Sequence, residues 1–122
     1  MMVAVLVVDD DKTSATTLAD ELLAANHDVT VVHSGKEALA AMQNKTMNLV
    51  ITELMLPEVD GMQIISRIRS YYPDTVVIAL TQPKSNGVDY LPLAKLVGAD
   101  GCLSKPVTED SLLGLVNELL TE

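Results

Sequence analysis

The chain has 122 residues, a hydrophobic fraction of 48% and a formal net charge of −9. That length suits one domain, spanning residues 1–122, with a buried core. With no Phe or Trp and three Tyr, the core must be aliphatic. The charge argues against direct contact with nucleic acid or an anionic membrane, so any DNA-binding output would belong to a further domain. No apolar run approaches the roughly 18 residues of a membrane span, and Met1-Met2 leads straight into a strand. The lone Cys102 excludes an internal disulfide and fits a reducing cytoplasm.

In chain order, Val3–Val8 is a continuous apolar run and reads as a buried parallel strand. Thr13 to Ala25 follows as a helix with Leu18, Leu22 and Ala25 on one face. Asp28–His33 is β-branched and predicts a strand. Ser34 is the N-cap of a helix with Ala38, Leu39 and Met42 inward. Asn48–Glu53 is a third strand. Asp60 caps a helix with Ile64, Ile65, Ile68 and Tyr72 on its core side, stopped by Pro73. Thr75–Leu80 is a fourth strand. A long loop with Pro83, Asn86 and Gly87 leads to a short helix over Leu91 to Val97, with Pro92 at its start. Asp100–Ser104 is a fifth strand. The last helix runs from about Thr108 to Leu120, with Leu112, Leu115, Val116 and Leu119 inward.

Five β-α units predict a doubly wound parallel sheet with helices on both faces. The strand ends then collect Asp9, Asp10, Glu53, Thr81 and Lys105 along one edge, where such sheets place their sites. Carboxylates so close repel one another, so a hard cation such as Mg²⁺ would balance them. A hydroxyl from Thr81 and a positive charge from Lys105 suit an anionic oxygen group. The set is built for phosphoryl transfer or for imitating its product. Singly, Asp9–Asp11 reads equally well as a solvated turn and helix start, Thr81 as a cap, and Lys105 before Pro106 as surface.

Taken together, the motifs resemble the receiver domain of bacterial two-component response regulators over essentially the whole chain. The matching pieces are Val8-Asp9-Asp10, Ser34-Gly35-Lys36-Glu37-Ala38-Leu39, Met55-Leu56-Pro57 with Asp60-Gly61, Leu80-Thr81, Gly98-Ala99-Asp100 and Lys105-Pro106. The resemblance implies a flavodoxin-like (βα)5 fold with strand order 2-1-3-4-5. It implies Mg²⁺ held by Asp9, Asp10 and the main-chain carbonyl of Met55. It makes Thr81 the switch hydroxyl and Lys105 the phosphate-pairing lysine. A histidine kinase or phosphotransfer protein would dock around Ser14 to Leu18. An output domain, a partner protein or a second receiver would bind the face of the fourth helix, fifth strand and fifth helix. Leu91, Lys95 and Cys102 fall on that face. Leu113 and Leu120, seven apart, read either as an exposed apolar stripe there or as partly buried, unremarkable leucines, and the second reading is favoured.

The departures carry as much information. Where the resemblance implies a phosphoacceptor aspartate, this chain has Glu53. One extra methylene displaces the carboxylate by about an ångström, which in-line transfer tolerates poorly, while leaving an anion near the place of a phosphoryl oxygen. Gln82 replaces the small residue expected after the switch threonine, and Cys102 replaces the switch aromatic. Two accounts of Glu53 stand open: a natural pseudo-receiver or phosphomimetic, and an ordinary receiver with an engineered Asp-to-Glu change. Gln82 and Cys102 favour the first.

Two other classes share parts of the pattern. Asp9 as nucleophile and Asp11 as general acid would fit a haloacid-dehalogenase-like phosphatase. After Lys105, however, only the helix-start acids Glu109 and Asp110 remain to supply its last acidic motif, and Glu53 goes unexplained. A flavin carrier of the same topology needs a phosphate-cradling loop after the first strand, where Asp9–Asp11 would repel phosphate.

Overall fold

Each continuous apolar run becomes a parallel strand, because only a sheet covered by helices on both faces buries a strand with no polar side. The computed structural model describes residues 2–82 and 90–121. In chain order it contains β1 (Ala4–Val8), α1 (Lys12–Ala24), β2 (Asp28–Val32), α2 (Gly35–Asn44) and β3 (Leu49–Glu53). The second half contains α3 (Gly61–Tyr71), β4 (Val76–Thr81), α4 (Leu91–Val97), β5 (Gly101–Ser104) and α5 (Glu109–Leu120). The strands form one parallel sheet in the order β2-β1-β3-β4-β5, the flavodoxin-like arrangement expected. The loop with Pro83, Asn86 and Gly87 lies outside the described residues.

Strand alternation divides the core into two layers. Val5, Val7, Leu49, Ile51, Ile78 and Leu80 pack with Leu18 and Leu22 of α1 and Leu112 and Val116 of α5. Leu6, Val8, Val50, Val77 and Ala79 pack with Met42 of α2, Ile64, Ile65 and Ile68 of α3, and Ala94 of α4. The three isoleucines are fully buried, each contributing about 1.5–3 kcal/mol.

The helix starts follow from their caps. Ser34 Oγ accepts from Glu37 N at 3.1 Å. Asp60 and Gln63 form a reciprocal capping box, which satisfies two otherwise orphaned donors. Pro92 occupies the first turn of α4, where its missing N–H costs nothing.

Two predictions need correction, and one open reading is decided. Ala25 is the half-buried C-cap of α1 rather than part of its inner face, because the helix ends at Ala24. Thr81 is the last residue of β4, not a position beyond it. Of the two readings of Leu113 and Leu120, the favoured one holds: both are partly buried against the layer shared with α1. On the face of α4, β5 and α5 the exposed leucines are those of α4, Leu93 (47%) and Leu96 (83%).

Candidate functional site

The parallel register brings the C-terminal ends of β1, β3, β4 and β5 to one edge. Asp9 follows β1, Glu53 and Thr81 close β3 and β4, and Lys105 follows β5. Asp9, Glu53 and Thr81 are all buried. Burial of charge demands a partner, and Lys105 supplies it. Its Nζ lies 2.7 Å from Asp9 Oδ2 and 2.9 Å from Glu53 Oε2. The Asp9 contact is a hydrogen bond. Glu53 Oε2 has no hydrogen-bond-aligned donor, so its contact with Lys105 is an ion pair only.

Neighbouring backbone fixes these side chains. Lys105 N donates to Thr81 O at 2.7 Å, which ties β5's exit to β4. Asp9 Oδ1 accepts from Asp11 N at 3.0 Å. Gly61 opens α3 directly against the end of β3, donating to Leu54 O at 3.0 Å. A Cβ at position 61 would lie 2.3 Å from Glu53 O and 2.7 Å from Leu54 Cα, so only glycine allows this approach.

Electrostatics follow from the packing. Burial raises the Glu53 carboxyl above its ordinary value and the Asp9 charge adds to this, while Lys105 and the Met55 N–H oppose it. Burial alone would lower the Lys105 ammonium. Its hydrogen bond to Asp9 and its contact with Glu53 outweigh that and hold it above its ordinary value. The lysine is therefore charged throughout the physiological range.

The remaining expected residues stand apart from this pairing. Asp10 is exposed. Asp11 caps α1, accepting from Thr13 N and Ser14 N, a use that competes with any role as a general acid. Among the described residues no hydrogen bond joins the Thr81 hydroxyl to Glu53 or Lys105. Gln82 is exposed, and Cys102 is partly buried against the layer under α3 and α4. Gln82 and Lys105 border a cleft of about 470 Å³ that also touches Asp11, Ser14, Thr17 and Leu18.

His33 was not anticipated. Its Nδ1 lies 2.9 Å from the Asp9 carbonyl; a carbonyl only accepts, so the proton sits on Nδ1. The imidazole thus ties the end of β2 to the acidic loop. Its place just past a strand end was the available signal.

The resemblance implies Mg²⁺ at this edge, and the donor set bears on whether it would be held. Among the described residues no three acids, histidines or cysteines stand together as a metal-holding group. Asp9 has both oxygens engaged, Asp10 is exposed, and the Lys105 ammonium lies between Asp9 and Glu53. As arranged, the residues do not fit the ion.

Comparison with known proteins agrees with the fold. Residues 5–117 match the model of the response regulator receiver domain. The chain is 34% identical to the response regulator protein FleR of Pseudomonas aeruginosa, over 95% of this chain and 24% of that protein. It is 30% identical to the response regulator ArlR of Staphylococcus saprophyticus, over 98% of this chain and 53% of that protein. The chain thus spans only about a quarter to a half of these relatives. The BeF3-activated receiver domain of DrrB, a Thermotoga maritima protein, is similar at 30% identity with a TM-score of 0.87, both chains being covered in full (100%). The chain belongs to the response regulator receiver domain family.

Proposed function

We infer that this receiver domain acts as a protein-interaction switch whose state does not depend on phosphate at position 53. One observation carries the reading: the Glu53 carboxylate is 2% exposed and already sits 2.9 Å from Lys105. An acceptor must present a free oxygen in line with the incoming phosphorus. Glu53 instead lies buried, in contact with the lysine that would pair with a phosphoryl group. Its anion supplies the lysine contact but not the Thr81 contact, so the site is a pre-set one rather than a full imitation of the phosphorylated state.

Receiver domains of response regulators are signalling modules that work with histidine kinases and output domains. In this chain the cleft beside Ser14 to Leu18 is the dock of a kinase or phosphotransfer protein, now vestigial. The output partner, or a second copy, meets the face of α4, β5 and α5. The exposed Leu93 and Leu96 flank Lys95 on α4 and supply the apolar contact that Leu113 and Leu120 do not. No helix among the described residues is long and apolar enough to cross a membrane.

The test is intact-mass analysis after incubation with acetyl phosphate and Mg²⁺, on this chain and on Glu53→Asp. The unmodified chain is expected to gain no phosphoryl group and the aspartate variant to gain one. Phosphate on Glu53 itself would overturn the reading. Failure of both chains would extend the loss to Gln82 and the switch positions.

A further inference from the structure

Buried carboxylates need a counter-charge, and this edge has one built into the chain. The Lys105 ammonium bridges Asp9 Oδ2 at 2.7 Å and Glu53 Oε2 at 2.9 Å, and the other Asp9 oxygen accepts from Asp11 N. The lysine side chain is 11% exposed, and its backbone is held by the bond from Lys105 N to Thr81 O. A tethered cation is present at a high effective concentration whatever the solution contains. Mg²⁺ demands a near-octahedral oxygen shell at about 2.0–2.1 Å and gives up water reluctantly. To enter here it would have to displace the ammonium from two buried partners and bring water to a place where Asp9 is 0% and Glu53 2% exposed. The displaced lysine would lose its only carboxylate neighbours among the described residues.

We propose that Lys105 is the resident cation of this site, seated between Asp9 and Glu53 in place of a divalent ion, so that the chain neither binds nor needs Mg²⁺ at this edge. The proposal rests on the reading of Glu53 given above, in which its carboxylate stays in contact with Lys105.

The experiment titrates the folded chain with Mg²⁺ and with Mn²⁺, alongside Lys105→Met. Thermal unfolding reads Mg²⁺, and paramagnetic broadening of the amide signals of Asp10, Leu54 and Met55 reads Mn²⁺. The parent chain is expected to keep its melting temperature in about 10 mM Mg²⁺ and to show no saturable broadening. In Lys105→Met the two acids lose their counter-charge. A divalent ion then replaces it, raising the melting temperature by about 3–8 °C in about 10 mM Mg²⁺. Saturable Mn²⁺ binding near Asp10 in the parent would overturn the proposal, as would a folded Lys105→Met that ignores both ions. If the variant does not fold, the Mn²⁺ titration of the parent alone decides. Metal binding by the parent would sink this proposal and leave the phosphate-independent reading intact, whereas phosphate on Glu53 would sink the latter.

Discussion

The two edges of the sheet satisfy their polar groups in different ways. At the N-terminal edge, side chains bond to backbone. Asn48 Oδ1 accepts from Ala4 N at 2.8 Å, Asp100 Oδ2 accepts from Val77 N at 2.8 Å, and Thr75 Oγ1 donates to Met47 O at 2.8 Å. His27 Nδ1 accepts from Val3 N at 3.3 Å, and Arg69 donates to the carbonyls of Pro73 and Thr75. These bonds fasten the segments that lead into the strands. At the C-terminal edge the charged groups bond to one another: Asp9, Glu53 and Lys105 share one ammonium between two carboxylates. The first edge distributes its polar groups over many modest bonds. The second concentrates charge in a few contacts, where one substitution unbalances the rest. Functional sites tend toward the second arrangement, because a stored charge imbalance is what a ligand or modification can act on.

The largest effect should come from the charged edge. Lys105→Met leaves two buried carboxylates without a counter-charge and should cost about 3–5 kcal/mol, read from urea unfolding in the absence of divalent ions. A loss below about 1 kcal/mol would mean that the two edges do not differ as described. At the other edge, Asp100→Ala removes the acceptor for Val77 N and a 3.6 Å contact with Arg69. It should cost about 1–3 kcal/mol in the same assay, because only one backbone donor is orphaned.

The smallest effects lie in pH dependence, and there the two edges have opposite signs. Burial raises the Glu53 carboxyl above 4.5 in the folded chain. The fold therefore binds the proton more tightly than the unfolded chain does, and stability falls as pH rises from 4.5 through the raised value. Burial lowers His27 below 6.5, so its contribution is complete above 6.5 and is lost as pH falls toward the lowered value. Glu53→Gln should flatten the first slope and His27→Gln the second, measured as urea midpoints across pH 4–8. If both variants flatten the same side, one of these assignments is wrong.

Most of the scaffold was legible because its signals are local. The apolar runs of Val3–Val8 and Asn48–Glu53, the caps at Ser34 and Asp60, and the short helix at Leu91 to Val97 each depend on neighbours in sequence, and each appears within a residue or two of its predicted place. Two readings of Leu113 and Leu120 stayed open in the sequence because the breadth of the buried face of α5 depends on what packs beside it, and the layer it shares with α1 covers them in part. The exposure of Leu93 and Leu96 has the same origin. Helical period says which residues share a face, not which neighbours reach it.

The sequence by itself determined the fold, the edge at which its polar residues gather, and the presence of a glutamate where the resemblance implies an aspartate. Those rest on periodicity, turn chemistry and motif spacing, all written along the chain. Only the tertiary structure decided what Glu53 does there. Its 2.9 Å approach to a lysine 52 positions away, the 2.7 Å hold of that lysine on Asp9, and the outward placement of Asp10 depend on where four strand ends stop relative to one another. Register and burial set those distances, and a difference of one methylene acquires meaning only against them.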